Sequence, residues 1–178
     1  GHGTVAGYIS NGDKIVVAAI YGPSCNSDTA SQEVLAWMEE HMGEVGQLVG
    51  TRKFLLAGDF NIKLQTIRRQ LKPRATEALR GLMRRFELID MGGDTNAPTW
   101  RRPHLPGASS RIDYIMHSDN IRASKLTTMW GRFDHAELQG QFELGFKSDK
   151  IIILKDWALL TPEFTRDAPN VMENILLD

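Results

Sequence analysis

The chain has 178 residues, of which 42% are hydrophobic and 24% charged, with a net charge of −1 at pH 7. That size and balance fit one domain with a packed core and argue against wholesale disorder. No apolar run approaches the roughly 20 residues of a membrane helix, and residues 1–4 lack the charged start and apolar stretch of a secretory leader.

Residues 5–9 and 14–21 read as two strands flanking Asn11-Gly12-Asp13, a hairpin turn signal. The second strand, IVVAAIY, is apolar almost throughout and is expected to be buried on both faces. Gly22-Pro23-Ser24 stops it. In residues 34–49, Val34, Met38, Met42, Val45 and Val49 recur at helical spacing, with Glu33, Glu39, Glu40 and Glu44 on the other side. Residues 54–57 form a short strand that runs into Gly58-Asp59-Phe60-Asn61. Ala75, Ala78, Leu79, Leu82, Met83 and Phe86 mark a second amphipathic helix, with Arg80, Arg84 and Arg85 on its exposed face.

Residues 94–110, rich in Pro, Gly, Ser and Arg, read as a long loop, and long loops inside compact domains are often functional. Residues 111–116, 123–129 and 137–146 look like closing strands. After residue 147 the character changes. Residues 151–154 are an apolar run, and Thr161-Pro162 is a helix start. The expected organisation is one domain over residues 1–147 and a tail over 148–178. The order of elements predicts a mixed α/β layering, with an inner sheet and outer helices.

Charge is unevenly spread. Between residues 63 and 86, Lys63, Arg68, Arg69, Lys72, Arg74, Arg80, Arg84 and Arg85 are opposed only by Glu77, and Arg101, Arg102, His104 and Arg111 follow. Such a run suits either a solvated helix face or a surface for a polyanion such as nucleic acid. The single cysteine, Cys25, excludes an internal disulfide and fits a reducing intracellular compartment, nuclear or cytoplasmic.

Several expected strands end on reactive groups. Tyr21 ends the first buried strand, Asp59 and Asn61 the next, Asp113 lies in SRIDYI, and Asp134 and His135 fall in RFDHAEL. Ligands gather at strand ends in layered α/β proteins because the loops there are free to carry polar groups. Asp113, between Ile112 and Tyr114, needs a partner because an unpaired buried carboxylate is costly, and His135 is the candidate. Carboxylates, a carboxamide, a histidine and a phenol suit Mg²⁺ or Mn²⁺ better than zinc and point to phosphoester hydrolysis.

GDFN, SRIDYI and Asp-His, in this order, resemble the endonuclease/exonuclease/phosphatase family, which has the α/β (α+β) sandwich fold of deoxyribonuclease I. AIYGPS is similar to that family's strand ending in Tyr-x-Pro, and APTWRRP followed by SRIDYI is similar to the endonuclease domains of non-LTR retrotransposons. The resemblance spans residues 3–146 and implies a Mg²⁺- or Mn²⁺-dependent DNA endonuclease. It implies that Asp59 orients and deprotonates the attacking water, and that Asn61 binds the phosphoryl oxygens. Asp113 then orients His135 on the phosphate, Asp134 lies beside the metal, and Tyr21 donates to the phosphate. Ser24, Asn26, Thr99, Arg101, Arg102 and Arg111 become expected substrate contacts.

Ser24 and Phe133 depart from the residues the family often has there. The larger departure is that the family's metal-binding Glu comes from a first half with no counterpart in residues 1–20, which hold no glutamate. The chain is therefore expected to be the C-terminal half to two-thirds of the domain. The resulting bare apolar sheet face should be covered by another chain, by the missing half or by a second copy. Two other readings fit the same residues: a binding or structural remnant without turnover, and a phosphatase or other phosphodiesterase of the same family.

Overall fold

The structure, a computed structural model, describes residues 1–10, 13–24, 27–64, 72–93, 97–102, 104–105, 107–143 and 151–154. Strand β1 (His2–Ser10) pairs antiparallel with β2 (Asp13–Tyr21), from His2↔Tyr21 to Ser10↔Asp13. Asn11 and Gly12 of the expected turn lie outside the described residues, as do Cys25, Asn26 and the helix start at Thr161-Pro162. Helix α1 (Asp28–Val49) begins earlier than its apolar periodicity, because the Ser27 hydroxyl accepts from the Ala30 N–H and caps it. Gly50 closes it in the left-handed conformation, where glycine meets no Cβ penalty.

Strand β3 (Phe54–Asp59) lies parallel to β2, and helix α2 (Pro73–Arg85) follows it. The N-terminus of α2 has Pro73 in its first turn and is capped from outside: the Asp28 carboxylate accepts from the backbone N–H groups of Arg74 and Ala75. Three short strands went unanticipated. Strand β4 (Leu88–Asp90) is too short for periodicity to mark. Strands β5 (Trp100–Arg101) and β6 (Ser109–Ser110) form a two-residue ribbon inside the expected loop. Strands β7 (Asp113–Ser118), β8 (Arg122–Trp130) and β9 (Ala136–Glu143) follow, and β10 (Ile151–Leu154) pairs antiparallel with β9.

Five strands form one sheet in the order β1-β2-β3-β7-β4, and three form another, β10-β9-β8. Alternation along the central strands divides the core between two faces. Val16, Ala18, Ile20 and Leu56 pack under Leu35, Met38 and Met42 of α1 and Leu79 and Leu82 of α2. Ile15, Val17, Leu55, Ala57 and Ile115 turn to the opposite face and pack with Leu138 and Phe142 of β9.

That second cluster corrects the expectation of a bare sheet face. Over β2, β3 and β7 the face is filled from within the chain, because β9 presents Ala136, Leu138 and Phe142 on one side and Glu137, Gln139 and Gln141 on the other. Burial also corrects the charge run. Lys72 is buried, with its ammonium donating to the Pro23 carbonyl at 2.8 Å. Among the described residues no helix is long and apolar enough to cross a membrane.

Candidate active site

Strand register brings the reactive groups into one row. Tyr21 is the cross-strand partner of Asp59, and Asp59 is the partner of Asp113. All three fall on the face that carries Ile15, Leu55 and Ile115, so they point towards β9, whose entry segment carries His135. The row therefore lies at one end of the cleft between the two sheets.

The chain reaches this end by tight backbone packing. Gly58 has φ 141°, and a Cβ there would strike the Ile20 carbonyl oxygen of β2. A Cβ on Gly22 would strike the Phe60 carbonyl. Both positions accordingly require glycine where the two strand ends touch. Beyond β3 the chain turns over Asn61, at φ 51°, a left-handed conformation that asparagine tolerates better than most residues. Phe60 turns into the core and meets Tyr114 edge-on at 5.5 Å.

Asn61 holds Asp59 from two sides. Its backbone N–H donates to Asp59 Oδ1 at 2.8 Å, and its side-chain amide donates to Asp59 Oδ2 at 3.1 Å and to the Gly22 carbonyl at 3.0 Å. The carboxamide thus fixes the neighbouring carboxylate. His135 Nδ1 lies 3.1 and 3.2 Å from the two Asp113 oxygens, so with Asp113 ionised this nitrogen carries the proton and donates. Nε2 then faces Asp59 Oδ2 at 4.0 Å.

Asp59 is 4% exposed and Asp113 3%, with His135 half-buried beside them. Two buried carboxylates sharing one imidazole concentrate negative charge where water screens it poorly, which favours a cation. Among the described residues, Asp59, Asp113 and His135 form a group whose potential ligand atoms all lie within 4.8 Å of one another. Hard carboxylate oxygens fit Mg²⁺ or Mn²⁺, so the donor set is compatible with the expected ion. Asp134 is not in that group; its Oδ2 accepts from the Trp100 indole N–H at 3.2 Å.

The remaining candidates divide by burial. Thr99 is buried, and its hydroxyl oxygen accepts from the backbone N–H groups of Ile112 and Asp113 at 3.1 and 3.0 Å. Its effect is to anchor the start of β7 and hence Asp113. Arg111 is also internal: its Nη2 lies 2.6 Å from Asp90 Oδ1, with the two side chains 8% and 10% exposed. Arg111 also stacks on the Tyr114 ring at 4.8 Å. Ser24, Arg101 and Arg102 are exposed, Tyr21 is half-buried with its ring 5.4 Å from that of His2, and Asn26 lies outside the described residues.

Tyr114 is a supporting residue that sequence reading missed. Its hydroxyl accepts from the Leu64 N–H and lies 3.0 Å from the carbonyls of Ile62 and Arg111, tying the Asn61 loop to β7. Burial pushes its phenol up to about 12. The available signal was a tyrosine inside an apolar strand, since a buried phenol needs a hydrogen-bond partner.

A family model for endonuclease/exonuclease/phosphatase proteins matches residues 3–132. The chain belongs to the endonuclease/exonuclease/phosphatase family. The match ends just short of Asp134 and His135, which the structure brings to the same strand ends. The endonuclease domain of TRAS1, a telomere-specific non-LTR retrotransposon, superposes with a TM-score of 0.58 at 16% identity, covering 82% of this chain and 63% of that one. An endonuclease/exonuclease/phosphatase protein from Beutenbergia cavernae gives 0.56 at 18% identity, covering 80% of this chain and 39% of that one. The human Nocturnin catalytic domain with bound sulfate gives 0.54 at 13% identity, covering 79% and 61%. At these identities the likeness is one of fold. The chain spans between 39% and 63% of the length of these family structures. No curated protein matches it.

Proposed function

We propose that this part of an endonuclease/exonuclease/phosphatase domain hydrolyses phosphodiesters and acts as a divalent-cation-dependent nicking endonuclease on DNA. The observation that carries the reading is the Tyr21–Asp59–Asp113 row closed by His135. Asp59, Asp113 and His135 are the residues that would hold the cation, with Asp134 one residue further along the chain. When bound, the ion supplies Lewis-acid activation of a phosphoryl oxygen and of the attacking water.

The chain's own groups do the rest. Asn61 keeps Asp59 in one orientation, ready to orient a water and accept its proton. Asp113 fixes the tautomer of His135, leaving the Nε2 lone pair as the imidazole's ligand atom for the cation. The gap of 4.0 Å between Nε2 and Asp59 Oδ2 is wide for a direct hydrogen bond and suits a shared cation or a bridging water, whose two O–H groups can donate to both acceptors. The Tyr21 hydroxyl donates to the phosphate from the neighbouring strand end.

The test is nicking of supercoiled plasmid by the chain with Mg²⁺. Asp59→Ala is expected to lower the rate by roughly 100- to 10,000-fold, and undiminished nicking would remove Asp59 from its role. Release of phosphate from monoesters without nicking would assign a phosphatase of the same family. A second reading, a DNA-binding module without turnover, is favoured by one observation: among the described residues no glutamate joins Asp59, Asp113 and His135. Plasmid binding with no Mg²⁺-dependent nicking is the outcome that selects it.

A further inference from the structure

The segment joining β8 to β9 is Gly131-Arg132-Phe133-Asp134-His135, and it exposes aromatic surface beside the buried carboxylates. Phe133 is 73% exposed, the most exposed of the large hydrophobic rings among the described residues, two positions from His135. Two residues span at most about 7 Å of chain, roughly two base-steps of a nucleic acid strand.

Trp130 stands opposite Ala136 in the β8–β9 ladder, so its ring shares the inner face of that sheet at the end where the row emerges. It remains 40% exposed. The Arg101 guanidinium lies over this ring, 4.7 Å from its centroid. The geometry is locked by backbone bonds. The Arg101 N–H donates to the Asp134 carbonyl at 2.9 Å, and the Ala136 N–H donates to the Thr99 carbonyl at 2.7 Å. Arg101, Arg102 and Arg132 are exposed and make no ion pair with a carboxylate among the described residues.

Exposed aromatic faces interleaved with guanidinium groups form the surface on which unpaired bases stack while cations meet the backbone. We propose that Phe133 and the Trp130–Arg101 stack form a base-stacking site that engages an unpaired nucleobase next to the phosphate held at the Asp59/Asp113/His135 cluster. The inference rests on the phosphodiester reading above and narrows its substrate to nucleic acid carrying an unstacked base near the cut. A fully paired duplex offers no free base face to Phe133 and binds more weakly than a single strand.

The test reads binding alone, without metal, by anisotropy of a labelled single-stranded DNA oligonucleotide and of an abasic strand of equal length and charge. Wild type is expected to bind the base-bearing strand more tightly. Phe133→Ala should weaken that strand roughly tenfold and leave the abasic strand unchanged, and Phe133→Trp should restore the difference. Arg132→Ala should weaken both strands alike. Because Phe133 is outward-facing, an unchanged thermal melt of Phe133→Ala confirms the fold. Equal binding of the two strands by wild type, or equal loss on both in Phe133→Ala, overturns the proposal. Base-selective binding by a chain whose Mg²⁺-dependent nicking survives Asp59→Ala would leave the stacking site standing and remove the catalytic reading, so the two failures are distinct.

Discussion

The arginines of α2 and those around the β8–β9 connection carry the same charge and face different partners. On α2, Arg84 lies 2.9 Å and Arg80 3.7 Å from Glu77, and Arg85 lies 2.7 Å from Glu39 of α1. The hydrogen bond from Arg84 holds the Glu77 carboxyl below its usual range. The N-terminal end of α2 adjoins the strand-end loop through Lys72 and Pro23, while Arg84 and Arg85 close its C-terminal end, about 20 Å along the axis. Arg101 and Arg132 instead flank His135 with no carboxylate partner among the described residues. Density of basic residues in the sequence therefore does not decide between a solvated face and a polyanion surface. What marks a polyanion surface is the charge left uncompensated beside the chemistry.

Arg111 is the case that sharpens this contrast most, because it belongs to the same stretch of sequence as Arg101 yet is internal. Its ion pair with Asp90 is buried, so Asp90→Ala leaves a charged guanidinium inside without its carboxylate. A loss of about 3–5 kcal/mol in urea unfolding is expected. A loss under 1 kcal/mol would return Arg111 to the surface set.

The ring under Arg111 gives the next largest effect. Tyr114→Phe removes a buried hydroxyl network and should cost about 1–3 kcal/mol near neutral pH, with slower turnover as the Asn61 loop loosens. The phenol's folded value is raised from 10 to about 12. Its protonated form is therefore favoured by folding, and the stability it contributes is complete below pH 10 and lost as pH rises through 12. Urea midpoints of wild type and Tyr114→Phe should accordingly converge between about pH 10 and 12. Parallel curves would show that the phenol is not protected.

Smaller effects separate the two arginine sets directly. Arg101→Ala should reduce the salt slope of oligonucleotide binding by about 1. The double change Arg84→Ala/Arg85→Ala should leave that slope unaltered and shift stability only slightly, since exposed ion pairs contribute little. Equal slopes in both variants would dissolve the comparison.

The central sheet was legible because its inner strands are near-continuous apolar runs bounded by turn residues. The run IVVAAIY could only be a strand covered on both faces, and both faces are covered. Asp59 and Asn61 stood out where an apolar run stops, and Asp113 and His135 as a buried acid with its expected partner, a pairing the structure contains. The ribbon β5–β6 was not, since two residues per strand leave no period to read. The anchoring of Asp113 by Thr99, of Asp134 by Trp100 and of Pro23 by Lys72 depends on contacts between segments far apart in sequence, which local pattern does not encode. Covering of the sheet by β9 was hidden for the same reason: alternation shows that a face is apolar, and topology decides what fills it.

The central claim is that the two buried carboxylates and the imidazole between them form one cation site serving phosphate chemistry. Titration of the chain with Mn²⁺, read by the loss of free-ion electron paramagnetic resonance signal, tests it most directly. The account predicts one Mn²⁺ bound per chain, displaced by Mg²⁺ and abolished by Asp59→Asn and by Asp113→Asn, with both variants still folded. Mn²⁺ binding that is equal in wild type and in folded Asp59→Asn would contradict it.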